Sequence, residues 1–584
     1  MKSPDSQRGF ALVTVLLLLA LIMSLLVAYH SLTRIEMTTT KASMSSTRGL
    51  YAAEAGLNLR ADLVRQIFEG YNRPTGTTPT NVDTCSDTNL GSGDFACAVY
   101  ELQQRDVTTY VEEAAGNPTA IVVPRGEQFQ NLNAQEYRYA VLSRADSPQG
   151  RPEAVLEMAF KSRLIPMFQF AAFYNKDLEI LPGPTMMLEG PVHTNGDLYV
   201  GSDNRLDILG QVTTAGEFYN GRKNTDTCMG GVSVIDPVTL TGLPACSGGT
   251  TVMNQPALDA WNGMIETGVD VLTVPPPEAL EPTPGEIYWD LADIRIMLDI
   301  TTSPAAIQVR DPDGSTNMID TTALNGCSAV SHSNSMYNNR EGTTIEMMDV
   351  DVEGLLNCLN STTLLGPGKD LADTSQGGLV FYVGVEGPDS ATINNYGVRV
   401  RNGGELASTQ VGAPEIEGLT VVTDQAMYVE GSYNATSKKP ASFLCDSLNI
   451  LSNSWNDANS TLALANREAS DTVINAAFLS GTDSTDGVEG TGPVFGDAYN
   501  GGLENYPRFH ESWSGHTLSY RGSFVSLNLP RHVDGAWAYG DVFYRAPNRD
   551  WRYDTDFNNA ENLPPLSPRF VSLKQELFSR LFEL

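Results

Sequence analysis

One uncharged run, FALVTVLLLLALIMSLLVAY at Phe10–Tyr29, limits more than any other feature how this chain can fold. At about 1.5 Å rise per residue, some twenty helical residues cross the roughly 30 Å hydrocarbon layer of a bilayer. Such a segment either spans a membrane or needs an equal area of apolar partner. Lys2 and Arg8 precede it, and no small-residue cleavage site follows Val27, which separates it from an ordinary secretory signal. A plain uncleaved anchor is the simplest alternative.

Helical character continues beyond the run. Leu50, Ala53, Leu57, Ala61, Val64 and Phe68 recur at spacings of three and four, an amphipathic stripe reaching toward Tyr71. Between run and stripe, Ser31–Thr47 is dense in weak helix formers, so a bend or local melting is expected there. From Asn72 to about Asp94 the composition is that of a Pro/Gly/Thr linker or loop. Strand-like runs follow at Ala96–Tyr100, Val107–Val111, Ala120–Val123, Tyr137–Leu142 and Ala154–Phe160, a small sheet assigned to residues 73–165.

Gln7-Arg8-Gly9-Phe10, placed ahead of the apolar run, resembles a type III prepilin leader. The resemblance implies a prepilin peptidase that cuts after Gly9 and leaves Phe10 as the mature N-terminus. It also implies that Thr14 stands at the fifth mature position, where ordinary pilins carry Glu. A carboxylate in mid-membrane costs about 2.5–3.5 kcal/mol on insertion scales and is retained where it has a partner, in pilins the N-terminal amine of a neighbouring subunit. Its replacement resembles minor pilins and tip pseudopilins, and Leu50-Tyr51-Ala52-Ala53-Glu54-Ala55-Gly56 resembles the segment closing the N-terminal domain of PilX-type minor pilins. The match covers residues 7–72. Its implied partners are other pilins and the inner-membrane pilus assembly machinery. Its implied location is the bacterial inner membrane, held by one helix, with the rest periplasmic and then at the cell surface once assembled into a filament.

The remainder reads as mainly β. Charged residues make up only 18% of the chain, against 52 Gly and 32 Pro, a turn-rich composition, and 584 residues exceed one ordinary core. Gly190-Pro191-Val192 and Gly210-Gln211-Val212 lie twenty residues apart, with short strands Asp197–Val200 and Leu206–Leu209 between them, as a β-solenoid coil requires. The segments Phe170–Tyr174, His193–Tyr199, Gly418–Val422, Met427–Gly431 and Leu448–Asn456 resemble large pilin-like proteins with β-helical heads. The expected fold is therefore a long N-terminal α-helix (residues 10–72, after a leader 1–9), a small pilin-like sheet, and an irregular right-handed β-solenoid over 166–570. The alternative is a β-sandwich. Residues 230–390 read as an insertion, the aromatic segments around Trp513 and Trp551 as a cap on the final coil, and 571–584 as a C-terminal helix with Leu573, Leu577 and Leu581 on one face.

Charge and motifs exclude several functions. Residues 1–9 carry Lys2 and Arg8 against Asp5, and 10–72 carry five Lys/Arg against four Asp/Glu, so the net −33 of the chain becomes −35 after residue 72. Such a surface repels phosphate backbones, and nucleic acid is not an expected partner. Seven cysteines form no metal-binding spacing; in an exported chain Cys85–Cys97, Cys228–Cys246 and Cys327–Cys358 are the expected disulfides, each stabilising by about 2–4 kcal/mol, with Cys445 a core thiol.

No histidine pair, nucleophile elbow or phosphate loop is present, and His510 and His516 beside Trp513 read as loop residues, so no enzyme and no cofactor is expected. Asp311/Asp313, Asp349/Asp351 and Asp554/Asp556 with Glu561 are candidates for weak calcium binding, although solvated loop carboxylates are the simpler reading. Trp513, Trp537, Trp551 and Tyr539 are candidates for a surface that stacks on polysaccharide, or else for a packed cap. The sequence thus reads as a structural or adhesive filament component. Its rivals are a membrane-tethered polysaccharide-acting enzyme built on Arg399, Arg401 and Asp424, and a secretion-system pseudopilin.

Overall fold

The computed structural model describes residues 8–69, 74–79, 85, 88–225, 227–236, 239–243, 248–389, 391–483, 485, 502–535, 537 and 543–581. The chain is mostly strands in several sheets, preceded by one long helix, α1 (Arg8–Glu69). It divides into two compact units: residues 1–119, 136–163 and 573–584 form the first, and 120–135 with 164–572 the second.

Helix α1 is continuous through the Ser/Thr-rich stretch where a bend was expected. Within that stretch the hydroxyls of Thr33, Thr38, Thr39 and Thr47 each donate to the carbonyl four residues back, at 2.9, 2.7, 2.9 and 2.9 Å. Side chains that would otherwise compete with the helix are bound to it. Its apolar first half, from Phe10 to Met44, lies exposed, and among the described residues it is the one helix long and apolar enough to cross a membrane, a candidate anchor or signal sequence.

The second half of α1 is buried on a six-stranded sheet containing Ala98–Leu102, Arg105–Glu113, Asn133–Asp146, Pro152–Pro166 and Arg569–Leu581. Ala53, Leu57, Ala61, Val64 and Phe68 of the stripe are all buried, with the Phe68 ring 5.0 Å from that of Tyr137. Arg60 crosses the interface and donates to the carbonyls of Asp94 and Ala96, both at 2.7 Å. The buried carboxylate of Glu153 would be raised by desolvation, but hydrogen bonds from Arg105 (2.5 Å) and Ser45 hold it below its usual range.

Close approach depends on Gly56, where an added Cβ would meet Val107 Cγ1 at 2.5 Å. Gly56→Val is therefore expected to destabilise this unit by about 1–3 kcal/mol through overpacking, well above the few tenths gained in helix propensity. Thermal melting of the full chain checks this, and an unchanged melting temperature contradicts the packing described.

Residues 571–581 of the expected C-terminal helix 571–584 are not helical. Arg569–Leu581 is a strand at the edge of this sheet, and residues 582–584 lie outside the described set. A three-turn leucine stripe is a weak signal, and an open sheet edge that takes every second backbone group outweighs it. The small sheet is likewise not one contiguous stretch 73–165, because residues 120–135 belong to the second unit and 573–584 to the first.

In the second unit, short strands recur at twenty-residue offsets. Ala172–Tyr174, Val192–Thr194 and Val212–Thr214 pair in parallel, residue 172 opposite 192 opposite 212. Leu178–Ile180, Leu198–Val200 and Phe218–Asn220 do the same on a second face, and Met186–Leu188 pairs with Leu206–Ile208 on a third. Corner side chains repeat in step: Asp177 and Asp197 each accept the backbone N–H twenty residues on, at 2.8 Å. Asn195 donates to Asn175 at 2.6 Å.

The same ladder continues with distant parts of the chain. In space its parallel strands run Ile265–Thr267, Val212–Thr214, Val192–Thr194, Ala172–Tyr174, Phe524–Ser526, Ala477–Ser480, Ala441–Cys445, Leu419–Val422, Leu379–Glu386 and Ile294–Asp299. Antiparallel Ala306–Arg310 and Thr316–Asn317 complete twelve strands. The chain thus starts in the middle of the sheet, advances to one end, crosses to the other through residues 268–293, and returns to its starting strand. Two expectations change accordingly. Residues 230–390 are not wholly an insertion, since 294–299 and 379–386 are core strands. The expected cap is not needed over Phe524–Ser526, because that strand is paired on both sides.

Candidate functional site

A cavity of about 560 Å³ on the second unit lies along the starts of these parallel strands. Its floor follows the register: Phe170 precedes Ala172–Tyr174, Gly190-Pro191 precedes Val192–Thr194, Gly210-Gln211 precedes Val212–Thr214, and Met264 precedes Ile265–Thr267. Glycine is required at two of these positions. A Cβ on Gly210 would come within 2.5 Å of the Gly190 carbonyl carbon, and one on Gly190 within 2.8 Å of the Tyr553 ring. The Gly-x-Val spacing in the sequence therefore marks the floor of a groove.

One wall is the loop Val123–Leu132. Its ends are tied together by Val123 N–H donating to Leu132 O (2.8 Å) and Asn131 N–H donating to Val123 O (2.9 Å). Phe129 and Asn131 both adopt left-handed backbone, φ 63° and 68°, which for a bulky residue costs about 1–2 kcal/mol. Burial of the Phe129 ring offsets that cost. It sits 5.0 Å from the Phe570 ring and 6.2 Å from that of Phe170, and burying a phenylalanine contributes about 1.5–3 kcal/mol. The loop is thus pinned by its aromatic anchor, with Arg125, Gln130 and Asn131 on the groove.

Behind the floor, His193 is fully buried. Its Nδ1 lies 2.7 Å from the hydroxyl of Thr213 and its Nε2 3.1 Å from Asn195 Oδ1. The amide oxygen only accepts, so Nε2 carries the proton and Nδ1 accepts from Thr213. Burial pushes the imidazole down to about 4, against the pull of Asn195. It is neutral at physiological pH and orients Thr213, which lines the groove.

The polar groups on the groove share a pattern, each held at one end with the other end presented. Gln130 Oε1 accepts from Gly126 N–H (2.9 Å), which leaves its amide N–H groups. Gln211 Nε2 donates to Gly263 O (3.2 Å), which leaves its oxygen. Asn558 Oδ1 accepts from the Tyr553 hydroxyl (3.0 Å), which leaves its amide N–H groups. Arg125 and Glu189, of opposite sign, form no ion pair among the described residues.

The sites expected from sequence lie elsewhere. Gly9 and Phe10 fall in the first turns of α1, and Thr14 donates to Phe10 O (3.0 Å) and Ala11 O (2.9 Å). A hydroxyl there is satisfied within its own helix, as a carboxylate would not be. Cys85–Cys97 and Cys327–Cys358 are disulfides, and Cys445 is a buried free thiol. Cys228 is disulfide-bonded, and Cys246 lies outside the described residues.

Arg399 is buried in an ion-pair network, bidentate to Asp349 (2.7 and 2.8 Å) and reaching Asp457 (2.8 Å) and Glu430 (3.0 Å), with Arg401 3.9 Å from Asp349. Asp424 is not part of it. That carboxylate is buried against Gln425, which donates to it at 2.8 Å. The residues proposed for an enzyme thus do not assemble.

The tryptophans are no sugar-stacking surface: Trp513, Trp537 and Trp551 are buried, and Arg508 lies 4.5 Å over the Trp537 ring, while Tyr539 is outside the described residues. Buried His510 is bonded to Asn449 (2.9 Å), and His516 lies 3.6 Å from Glu468.

The acidic pairs are engaged by the protein itself. Asp313 accepts from Ser315 and Asp311 from Asn317, Asp351 caps the helix Val352–Ser361, and Asp554 and Asp556 share Lys438. Glu561 opens a short helical turn capped by Asn559. Among the described residues no three His, Cys, Asp or Glu side chains are placed to hold a metal ion.

Compared with family models, curated proteins and solved structures, the chain has no match.

Proposed function

We propose that this chain is a pilin-like structural or adhesive component of a type IV pilus or related filament, minor or tip-located, whose larger unit is an irregular right-handed β-solenoid. One observation carries the reading. A single unbroken helix of 62 residues leaves its apolar first half exposed while its second half is buried on a sheet. Exposed apolar surface on that scale calls for lipid or for the same helix of other subunits. The leader-like Gln7-Arg8-Gly9-Phe10 and the self-satisfied Thr14 support assembly through that helix in a role that needs no fifth-position carboxylate. The coil register, with parallel strands at constant twenty-residue offsets, supports the solenoid.

Cleavage is expected between Gly9 and Phe10 in a cell with active prepilin peptidase. Mass spectrometry of the membrane-extracted protein should find Phe10 at the N-terminus, and Gly9→Leu should block processing and incorporation into filaments. An intact first residue together with absence from purified filaments would sink the proposal.

A further inference from the structure

We propose that the corner groove binds a neutral linear oligosaccharide, lying along the axis of coil stacking between the Val123–Leu132 loop and the Gly190/Gly210 floor. This rests on the adhesive half of the function proposed above. Shape is the first argument. The floor crosses four neighbouring coils, and at about 4.8 Å between strands three intervals give a trough of roughly 14 Å, suited to an extended ligand of roughly three pyranose rings. A volume of about 560 Å³ falls within the range of built ligand sites.

Chemistry is the second argument. The backbone at this corner is already paired: Ala171, Val192 and Val212 donate their N–H groups to Pro191, Gln211 and Met264. Across these first three strands no backbone edge is left for an extended peptide to pair with, the edge of the sheet lying beyond them at Ile265–Thr267. Recognition falls to side chains, and these offer donors and acceptors together: the amide N–H groups of Gln130 and Asn558, and the oxygen of Gln211. Sugar hydroxyls, which both donate and accept, match that mixture, while the apolar surface of Phe170 and Met264 suits the C–H face of a ring. Because one end of each amide is already fixed, little rotamer entropy is lost when the other end is used.

Charge selects a neutral ligand. Arg125 and Glu189 on the groove cancel, and the −35 carried after residue 72 repels polyanions at long range.

The test uses the full chain in a zwitterionic detergent without a sugar headgroup, screened on an array of neutral and acidic glycans, with the strongest binder titrated by calorimetry. A neutral linear glycan should bind. Gln211→Ala and Asn558→Ala should each weaken it about five- to ten-fold, the range for one lost hydrogen bond, with melting temperatures unchanged. His332→Ala, outside the groove, should bind as the unchanged protein does.

Four outcomes overturn the proposal: no glycan bound, affinity indifferent to Gln211 and Asn558, binding confined to acidic glycans and lost in Arg125→Ala, or displacement of the glycan by extended peptides. Glycan binding by a chain that is neither processed nor found in filaments would sink the pilin reading alone. Processing and incorporation without glycan binding would sink this one alone.

Discussion

The melting temperature of the full chain is expected to fall as pH rises from about 4 to about 7 and to level off above about pH 7, because several buried carboxylates are held protonated by the fold. Asp424, Glu504 and Glu511 are each pushed up to about 7, in every case chiefly by burial. Neighbouring carboxylates add to the shift: Glu281 for Asp424, Glu179 for Glu504 and Glu430 for Glu511. Burial pushes Asp446, one coil on from Asp424, in the same direction.

The sign follows from linkage. Below the ordinary carboxylate range, folded and unfolded chains both hold the proton, and these groups do not affect stability. Between about pH 4 and about pH 7 the folded chain keeps protons that the unfolded chain has released, so stability falls as pH rises. Above about pH 7 each group costs on the order of 3 kcal/mol. Two buried histidines oppose this over part of the same range, and the carboxylates outnumber them. His193 and His510 are buried as neutral rings with lowered values, so stability is lost as pH falls below the ordinary histidine value near 6.5.

Melting curves across this range test the account. The triple variant Asp424→Asn, Glu504→Gln, Glu511→Gln should remove most of this fall and leave the opposing contribution of the two histidines. A melting temperature that rises steadily to about pH 8 would show that these carboxylates are not protonated in the folded chain.

What was legible in the sequence is what repeats over short distances. The stripe Ala53, Leu57, Ala61, Val64, Phe68 has helical period and is buried as that period requires. Gly190 and Gly210 are twenty residues apart because the strands paired beside them are, and steric contact at each position excludes a side chain. What was not legible depends on pairings that local periodicity cannot carry. Ile294–Asp299 and Leu379–Glu386 are neighbours in the main ladder but are separated by some eighty residues of helices and hairpins. The continuous apolar run Leu379–Val383 was one signal, since strands covered on both faces do not alternate.

The groove was missed for a related reason. Its wall comes from residues 123–132, sequence assigned to a different unit, and the constraint that shapes it is a backbone conformation at Phe129 and Asn131. The buried tryptophans show the converse. Trp513, Trp537 and Trp551 lie close in sequence, which suggested a surface, but each fills space between strands and loops brought in from elsewhere.

Replacing Phe570 by alanine is expected to cost about 3–5 kcal/mol, the range for a large ring removed from a core that cannot collapse around it. The ring is fully buried and lies 5.0 Å from Phe129, 5.7 Å from Phe173 and 6.1 Å from Phe170. Phe170 and Phe173 stand where the chain begins the ladder, and Phe570 follows Pro568, whose carbonyl accepts from Met167 N–H at 2.8 Å. The cluster therefore joins the first and last segments of the second unit, about four hundred residues apart in sequence. Contacts of such separation carry a large loop-closure cost before they return any stability.

The loss should not be uniform. Phe129 keeps its left-handed backbone because its ring is buried in this cluster, so Phe570→Ala should release the Val123–Leu132 loop first. Amide exchange at Asn131 and Leu132 should rise well before exchange in the strands around Arg399, whose ion pairs with Asp349 and Asp457 lie in a different sheet. Glycan affinity should fall in the same variant at temperatures where the ladder remains protected. Uniform loss of protection, or an unprotected Arg399 sheet with the loop still closed, would show that the aromatic cluster does not hold the groove.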